Sequence, residues 1–268
     1  MRSYRQFIIP SMATTTGQTK AGPLRSIVTG GAANIGRAIT EALLAGGGRV
    51  AIGQRTISAA AALAERYGDR VIPFRVDVSD PAACRRFVDA AAAALGGLDV
   101  LVNNSAVTGA SAIAKLADIT PEHFENVVRV NLGGVIFCSQ AAVPHLKAAG
   151  GGVIVHISSV NALRPQMGAL VYAATKAGLT SVTQSMAKEL AADGIRVVAI
   201  APGDIALDHA AETDAAIAAK GAGGDVVNQT PLGRGRTVDI GETVAFICSP
   251  AARFVTGVTW VVDGGLLA

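Results

Sequence analysis

A strict alternation of short β-branched runs with longer alanine-rich segments constrains the fold most, and it extends from residue 25 to the end. The short runs are bounded by Gly, Asp, Asn or Pro and predict buried strands at Ser26–Val28, Val50–Ile52, Val71–Val76, Val100–Val102, Val153–Ile157, Val197–Ile200 and Val258–Val262. The amphipathic segments predict helices at Ile35–Ala45, Ser58–Tyr67, Pro81–Leu95, Pro121–Lys147, Tyr172–Ala192 and Ile240–Ser249. Such alternation requires parallel strands joined by right-handed crossovers. The chain is therefore predicted to be an α/β protein: a doubly wound parallel sheet of about seven strands with helices on both faces.

The domain organisation follows from where this alternation holds. Residues 24–268 contain no linker, repeat or low-complexity tract and predict a single domain. Residues 1–23 differ, with scattered basic residues and a polar run, and are interpreted as a loose N-terminal extension. Residues 204–238 are the least regular part of the domain and rich in Gly, Asp and Ala, which predicts a mobile flap over a substrate.

Composition excludes several classes of protein. Half of the 268 residues are hydrophobic and only 16% are charged, which favours a large core over disorder. The net charge is +3 and no Lys/Arg cluster is present, so we expect no nucleic-acid partner. No apolar run reaches membrane-spanning length, so we expect no membrane partner. The cysteines lie far apart in sequence and the four histidines lack ligand spacing, which predicts buried thiols in a cytoplasmic protein and no metal.

A glycine-rich turn follows the first predicted strand and opens the first predicted helix, reading Thr-Gly-Gly-Ala-Ala-Asn-Ile-Gly from Thr29 to Gly36. Glycines let a backbone approach a pyrophosphate, and the N–H groups of a helix N-terminus bind the phosphates. An ordinary tight turn is the alternative, but the position between strand and helix favours a dinucleotide site. The predicted cofactor contacts here are Gly30, Ala32, Asn34, Ile35 and Gly36.

The end of the second strand indicates which dinucleotide binds. An acidic residue there would bind the ribose hydroxyls and repel a 2′-phosphate. This chain has Gln54 at that place, followed by Arg55, whose guanidinium can pair with a phosphate. We therefore expect NADP(H), with NAD(H) possible if Arg55 is only a solvated surface charge.

A Tyr-x-x-x-Lys pair carries the strongest chemical signal. Helical spacing places Tyr172 and Lys176 on one face. An ammonium a few ångströms away would lower the pKa of a tyrosine and suit it to proton transfer at a carbonyl or alcohol oxygen. Such a pair also arises by chance on surface helices. Its context favours function: Ser159, thirteen residues earlier at a strand end, can bind the substrate oxygen, with Ser158 as the rival.

Together these motifs resemble the short-chain dehydrogenases/reductases, and the resemblance covers the chain from Leu24 to the end. The turn resembles that family's Thr-Gly-x-x-x-Gly-x-Gly, with Asn34 in place of the second glycine. A second departure is Leu207, where a phosphate-contacting threonine is common. Asn tolerates left-handed backbone, so the turn is expected to survive.

The resemblance implies a Rossmann-type fold and further site residues. It selects Ser159 over Ser158 and adds Asn131, which in the family helps to hold a water between the lysine and solvent. Beside Gln54, Arg55, Tyr172 and Lys176, the implied cofactor contacts are Asp77, Val78, Asn104, Ser105, Ala106, Pro202, Gly203 and Ile205.

The function implied is hydride transfer between a nicotinamide cofactor and a small-molecule carbonyl or secondary alcohol. A NADPH-dependent ketone or 3-oxoacyl-type reductase is the main expectation. An NAD-dependent sugar, polyol or alcohol dehydrogenase is the alternative, and a dinucleotide sensor without turnover is a third. The long predicted helices resemble the family's subunit contacts and imply a homotetramer.

Overall fold

The computed structural model describes residues 22–208, 210–220 and 229–268. Seven parallel strands form the central sheet in the order β3-β2-β1-β4-β5-β6-β9, and β7 pairs with β8 in a separate two-stranded ribbon. The strands are β1 Arg25–Thr29, β2 Arg49–Gln54, β3 Val71–Arg75, β4 Val100–Asn103, β5 Gly152–Ile157, β6 Ile195–Pro202, β7 Ile205–Ala206, β8 Gly235–Arg236 and β9 Thr259–Val262. The predicted seven-stranded doubly wound fold is confirmed.

Helices cover both faces of the sheet. They are α1 Asn34–Ala45, α2 Ser58–Tyr67, α3 Pro81–Leu95, α4 Pro121–Val128, α5 Gly134–Ala148, α6 Leu170–Leu190, α7 Ala210–Ala219 and α8 Thr237–Cys248. Successive strand residues point to opposite faces, so Val28 packs into the core layer that contains α1 and α8, whereas Ile27 packs into the layer with α3 and α5. Both side chains are fully buried, as two-sided burial of a parallel sheet requires.

Within residues 204–238 the structure describes residues 204–208, 210–220 and 229–238. The described part contains helix α7 and the β7–β8 ribbon, where we predicted an irregular flap. Alanine has the highest helix propensity, and six of the ten residues of α7 are alanine. Residues 1–21 of the predicted extension, residues 1–23, lie outside the described residues. His209 and residues 221–228 of the predicted flap also lie outside them.

The sequence was expected to hold no apolar run of membrane-spanning length, but one helical segment is long and apolar enough by composition. α4, a π-helical turn Arg129–Gly133 and α5 run on without a break, and Pro121–Ala148 is long and apolar enough to span a membrane by composition, with a mean hydropathy of 1.3 in its most apolar window of 18 residues. In the fold, 44% of that window is buried. α5 packs against α3 and against strands β4 and β5, so its apolar side chains serve the core.

Candidate active site

The site begins at the crevice between the carboxyl ends of β1 and β4, where the chain changes direction across the sheet. Thr29 and Asn104 join these two strand ends. The Asn104 side chain donates to the carbonyls of Thr29 (3.0 Å) and Gly30 (3.1 Å), and the Thr29 hydroxyl accepts the N–H of Asn104 and of Ser105, each at 3.0 Å. Asn104 therefore holds the floor of the crevice in shape.

The glycine-rich turn closes tightly above this floor. A Cβ on Gly36 would lie 2.0 Å from the Gly30 carbonyl oxygen, so only glycine fits there. Asn34 has φ 49°, and among the described residues no other non-glycine residue has positive φ. The turn thus keeps the left-handed geometry despite the departure from glycine, as expected. α1 has no side-chain N-cap, and its first N–H groups stand at the cleft.

A single cleft of about 1050 Å³ brings nearly all the predicted residues together. Ala32 and Asn131 are the exceptions; both are buried behind the lining. The predicted residues that line the cleft are Gly30, Asn34, Ile35, Gly36, Gln54, Arg55, Asp77, Val78, Asn104, Ser105, Ala106, Ser159, Tyr172, Lys176, Pro202, Gly203 and Ile205.

One end of the cleft is lined by Gln54, Arg55 and Asp77. The Arg55 side chain is exposed and makes no hydrogen bond or ion pair within the part of the chain that the structure describes. The N–H of Ser79 donates to Asp77 at 2.9 Å, and this bond, aided by the positive charges of Arg55 and Arg129, lowers the pKa of Asp77. This end therefore offers a guanidinium with free donors beside a carboxylate that accepts hydrogen bonds.

At the centre of the cleft, Tyr172 from the first turn of α6 faces Ser159 from the end of β5. Burial raises the pKa of Tyr172, and side-chain hydrogen bonds with Ser159 and Thr108 oppose that rise. The Ser159 hydroxyl also accepts the N–H of Asn161 at 3.1 Å. The rival, Ser158, turns its hydroxyl away to the Lys176 carbonyl oxygen (3.1 Å), which leaves Ser159 as the serine next to the tyrosine.

Lys176 lies one turn after Tyr172, with its Nζ 5.6 Å from the centre of the tyrosine ring. Burial lowers the pKa of Lys176 to about 8, and Nζ donates to the Ile157 carbonyl at 2.7 Å. The sequence analysis expected this ammonium to lower the pKa of Tyr172, and for the cofactor-free protein that was wrong. The cost of burying a phenolate outweighs the hydrogen bonds, so Tyr172 is held in its neutral, proton-donating form.

Asn131 sits in the π-helical turn between α4 and α5 and is fully buried. Its side chain accepts the N–H of Val107 at 2.7 Å and donates to the Val107 carbonyl at 3.0 Å. A π-helical turn inserts one extra residue, and here it accompanies the anchoring of the loop after β4 to the helix. Asn131 therefore supports the wall of the cleft next to Thr108.

Comparison with known proteins shows the family to which the chain belongs. A family model described as enoyl-(acyl carrier protein) reductase matches residues 30–267. The chain belongs to the short-chain dehydrogenases/reductases. It is 37% identical to cis-4-hydroxycyclohexanecarboxylate dehydrogenase of Sinomonas cyclohexanicum over 91% of this chain and 96% of the relative. It is therefore an oxidoreductase acting on alcohol or ketone groups with a nicotinamide cofactor.

Two crystal structures share the fold of this dehydrogenase/reductase. The 3-ketoacyl-(acyl-carrier-protein) reductase of Brucella melitensis, complexed with NADH, is 30% identical with a TM-score of 0.82, covering 93% of this chain and 100% of that one. A short-chain dehydrogenase of Burkholderia cenocepacia in complex with NADP is 35% identical with a TM-score of 0.81, covering 92% and 99%. Both dinucleotides therefore occur among the relatives.

The other half of the cleft of this dehydrogenase/reductase contains residues that the sequence analysis did not single out. Arg234 pairs with Asp214 of α7 (2.6 Å) and with Asp204 after β6 (3.1 Å). The bond to Arg234 lowers the pKa of Asp214, whereas burial raises the pKa of Asp204. The pairing depends on a fold of the flap that local sequence does not reveal. Further residues of this half are Thr108, Ala112, Ile113, Asn161, Gln166, Ala169, Ile217 and Leu266.

Metal-ligating side chains do not cluster within the described part of this dehydrogenase/reductase. Among residues 22–208, 210–220 and 229–268, no group of three or more His, Cys, Asp or Glu could hold an ion. Cys84, Cys138 and Cys248 are all buried and free. The Cys84 thiol in α3 donates to the Val78 carbonyl at 3.3 Å. The prediction of a metal-free site therefore stays a prediction.

Proposed function

We propose that this enzyme is a NADPH-dependent reductase of a ketone or 3-oxoacyl-type carbonyl. The observation that carries the proposal is the pairing of two features in one cleft. Ser159, Tyr172 and Lys176 meet at its centre, and the unpaired Arg55 guanidinium stands at one end. The first set suits proton transfer at an oxygen, and the second suits a phosphate.

The cofactor contacts proposed for this chain follow the length of the cleft. The N–H groups of Ile35 and Gly36 at the start of α1 would take the pyrophosphate, since the Asn34 N–H donates to Asp208. Arg55 would pair with a 2′-phosphate, and Asp77 would accept from the adenine amino group. Lys176 would donate to the nicotinamide ribose, with Pro202, Gly203 and Ile205 against the nicotinamide. These residues fit a dinucleotide because the glycine cradle leaves room where a Cβ would close it.

The proposed chemistry divides between cofactor and chain. When bound, NADPH supplies a hydride to the carbonyl carbon. Tyr172, held neutral by its burial, gives its phenolic proton to the carbonyl oxygen, which becomes the hydroxyl. Ser159 donates to the same oxygen and stabilises the charge that develops on it. Lys176, with its pKa near 8, is charged at pH 7 and stabilises the phenolate that the transfer leaves.

The direct test measures cofactor turnover by the absorbance of the reduced nicotinamide. NADPH and NADH are each offered with an acetoacetyl thioester, small diketones and keto-sugars, and the matching alcohols are run in reverse. We expect NADPH-selective reduction of a ketone or thioester. Preferential oxidation of a polyol or alcohol with NAD would replace the proposal with a catabolic dehydrogenase.

Arg55→Ala separates the two dinucleotides. Removing a paired phosphate contact should weaken NADPH binding about 10- to 100-fold and leave NADH binding within about twofold. Arg66→Ala is the matched control, since it removes an exposed arginine of α2 that contacts Glu41 and does not line the cleft. An equal loss for both dinucleotides would contradict the assignment of Arg55.

A dinucleotide sensor without turnover is the remaining alternative. Tyr172→Phe removes the proton donor and keeps the ring, so a catalyst should lose at least about a thousandfold in kcat while its NADPH affinity persists. Wild-type protein that binds NADPH and reduces no carbonyl of the panel would favour the sensor.

We also propose a homotetramer in the cytoplasm, with residues 1–23 as an extension and residues 204–238 as the substrate flap. β9 is an edge strand that carries Trp260 against Phe246, and Phe254 nearby is 97% exposed. Such an apolar edge is typical of a subunit contact. The buried free cysteines suit a reducing compartment. A monomer mass in light scattering would refute the tetramer.

A further inference from the structure

The two departures from the family pattern lie on either side of one groove. Asn34 stands at the start of α1 in place of a glycine, and Leu207 follows β7. Both line the cleft, beside Ile35 and Ile205. The residue after Leu207 is Asp208, and it reaches back to Asn34. The chain that leaves β7 therefore crosses the cleft at the N-terminus of α1.

Three contacts fix this crossing. The Asp208 N–H donates to Asn34 Oδ1 at 2.9 Å, and the Asn34 N–H donates to Asp208 Oδ2 at 3.4 Å. Arg37, on the same end of α1, pairs with Asp208 Oδ1 at 3.2 Å. The positive end of the α1 dipole favours a carboxylate at this place. Asn34 and Asp208 thus bind each other reciprocally through main chain and side chain.

The backbone conformation of Asn34 favours glycine, so the side chain of Asn34 needs another explanation. A residue with φ 49° is strained relative to glycine, which adopts that region freely. Glycine would satisfy the turn but has no side chain to accept the Asp208 N–H. Leu207 offers no hydroxyl to a phosphate, so on this side of the groove the chain is held by protein contacts instead of by the ligand.

We propose that Asn34 and Asp208 are positioning residues that act as a clamp, holding the chain at Leu207 and Asp208 across the pyrophosphate groove. This inference rests on the proposed function, since it requires a dinucleotide in the cleft. The clamp must open before the cofactor leaves, so it slows release. It acts on the cofactor's residence and takes no part in the transfer of hydride or proton.

NADPH dissociation from the full-length enzyme, followed by stopped-flow fluorescence after dilution into excess NADP⁺, tests the clamp. Asn34→Gly keeps the left-handed turn and removes the acceptor for Asp208, so we expect release about five times faster, as for one lost hydrogen bond. Asp208→Ala removes the carboxylate contacts and should have a similar effect. In the double variant the two effects should not multiply, because both open the same clamp.

A rescue variant distinguishes the clamp from general damage. Leu207→Thr in the Asn34→Gly background places a hydroxyl at the groove that can bind a phosphate oxygen, so it should slow release again. Release unchanged in both single variants, or slower in Asp208→Ala because its carboxylate competes with the phosphate, would overturn the clamp. Absence of any NADPH signal with the wild-type enzyme would instead count against the proposed function.

Discussion

Acidification should destabilise this protein through one histidine. His156 of β5 is 0% exposed, and its Nδ1 contacts the Thr183 hydroxyl at 3.0 Å. Its Nε2 has no hydrogen-bond partner within the described part of the chain. Burial, reinforced by the charge of Lys176, lowers the pKa of His156 from 6.5 to about 3. The folded protein therefore keeps this imidazole neutral down to about pH 3.

The size and sign of the effect follow from proton linkage. The unfolded imidazole takes up its proton as the pH falls through 6.5, while the folded one resists until about pH 3. Stability due to this group is complete above pH 6.5 and is lost progressively below it. The loss between pH 7 and pH 5 is about 2 kcal/mol, and near pH 3 it approaches about 5 kcal/mol.

Equilibrium urea unfolding at pH 7 and pH 5 measures this loss, with Trp260, the one tryptophan of the chain, as fluorescent probe. His156→Asn is the matched variant, since an amide can still bond to Thr183 but cannot take a proton. Protein concentration is held constant because assembly contributes to apparent stability. The wild type should lose about 2 kcal/mol more than His156→Asn over this interval. Equal losses in the two proteins would refute the reasoning.

Three further outcomes are expected. Gly36→Ala should lower stability by about 3 kcal/mol or more, because the added Cβ would lie 2.0 Å from a carbonyl oxygen. Gly178→Ala in α6 is the control and should be neutral or stabilising in the same thermal melts, because its added Cβ would lie 3.6 Å from its nearest neighbour. Lys176→Met should abolish turnover yet raise the free energy of unfolding at pH 7 by up to about 3 kcal/mol. The burial that lowers the pKa of Lys176 to about 8 destabilises the folded protein by that amount while the lysine is charged. Unchanged or lower stability in urea would contradict this. Asn131→Ala should lose about 2–3 kcal/mol in urea unfolding through its two bonds to Val107, and Asn131→Asp should lose at least as much, because it places a carboxylate in a fully buried site against the Val107 carbonyl oxygen.

The strands of the sheet could be predicted because each has a distinctive local sequence. Runs such as Val153–Ile157 are buried on both faces, so they are apolar throughout and bounded by polar turns. Helices α2 and α3 were placed at their observed bounds because Ser58 and Pro81 are typical first residues. The glycine turn and the Tyr172–Lys176 pair were predictable because their geometry is local.

What depends on remote packing was missed. The π-helical turn contains Asn131, whose side chain forms hydrogen bonds with Val107, a residue 24 positions away. Helix α7 was hidden because the acidic and glycine content around it indicates a loop, while its contacts are with the segment after Thr108 across the cleft. The sequence places Tyr172 beside Lys176 but says nothing of burial, and burial decides the direction of the tyrosine pKa.

The hydrogen bonds that join Thr29 to Asn104 bear on the thermodynamics of ligand capture. They set the separation of the β1 and β4 ends without any help from a dinucleotide, so the socket for the phosphates is preorganised. Much of the conformational entropy of that wall is therefore already lost on folding. The entropy that binding still removes is concentrated in the opposite wall, and affinity for the cofactor can be tuned there without disturbing the sheet.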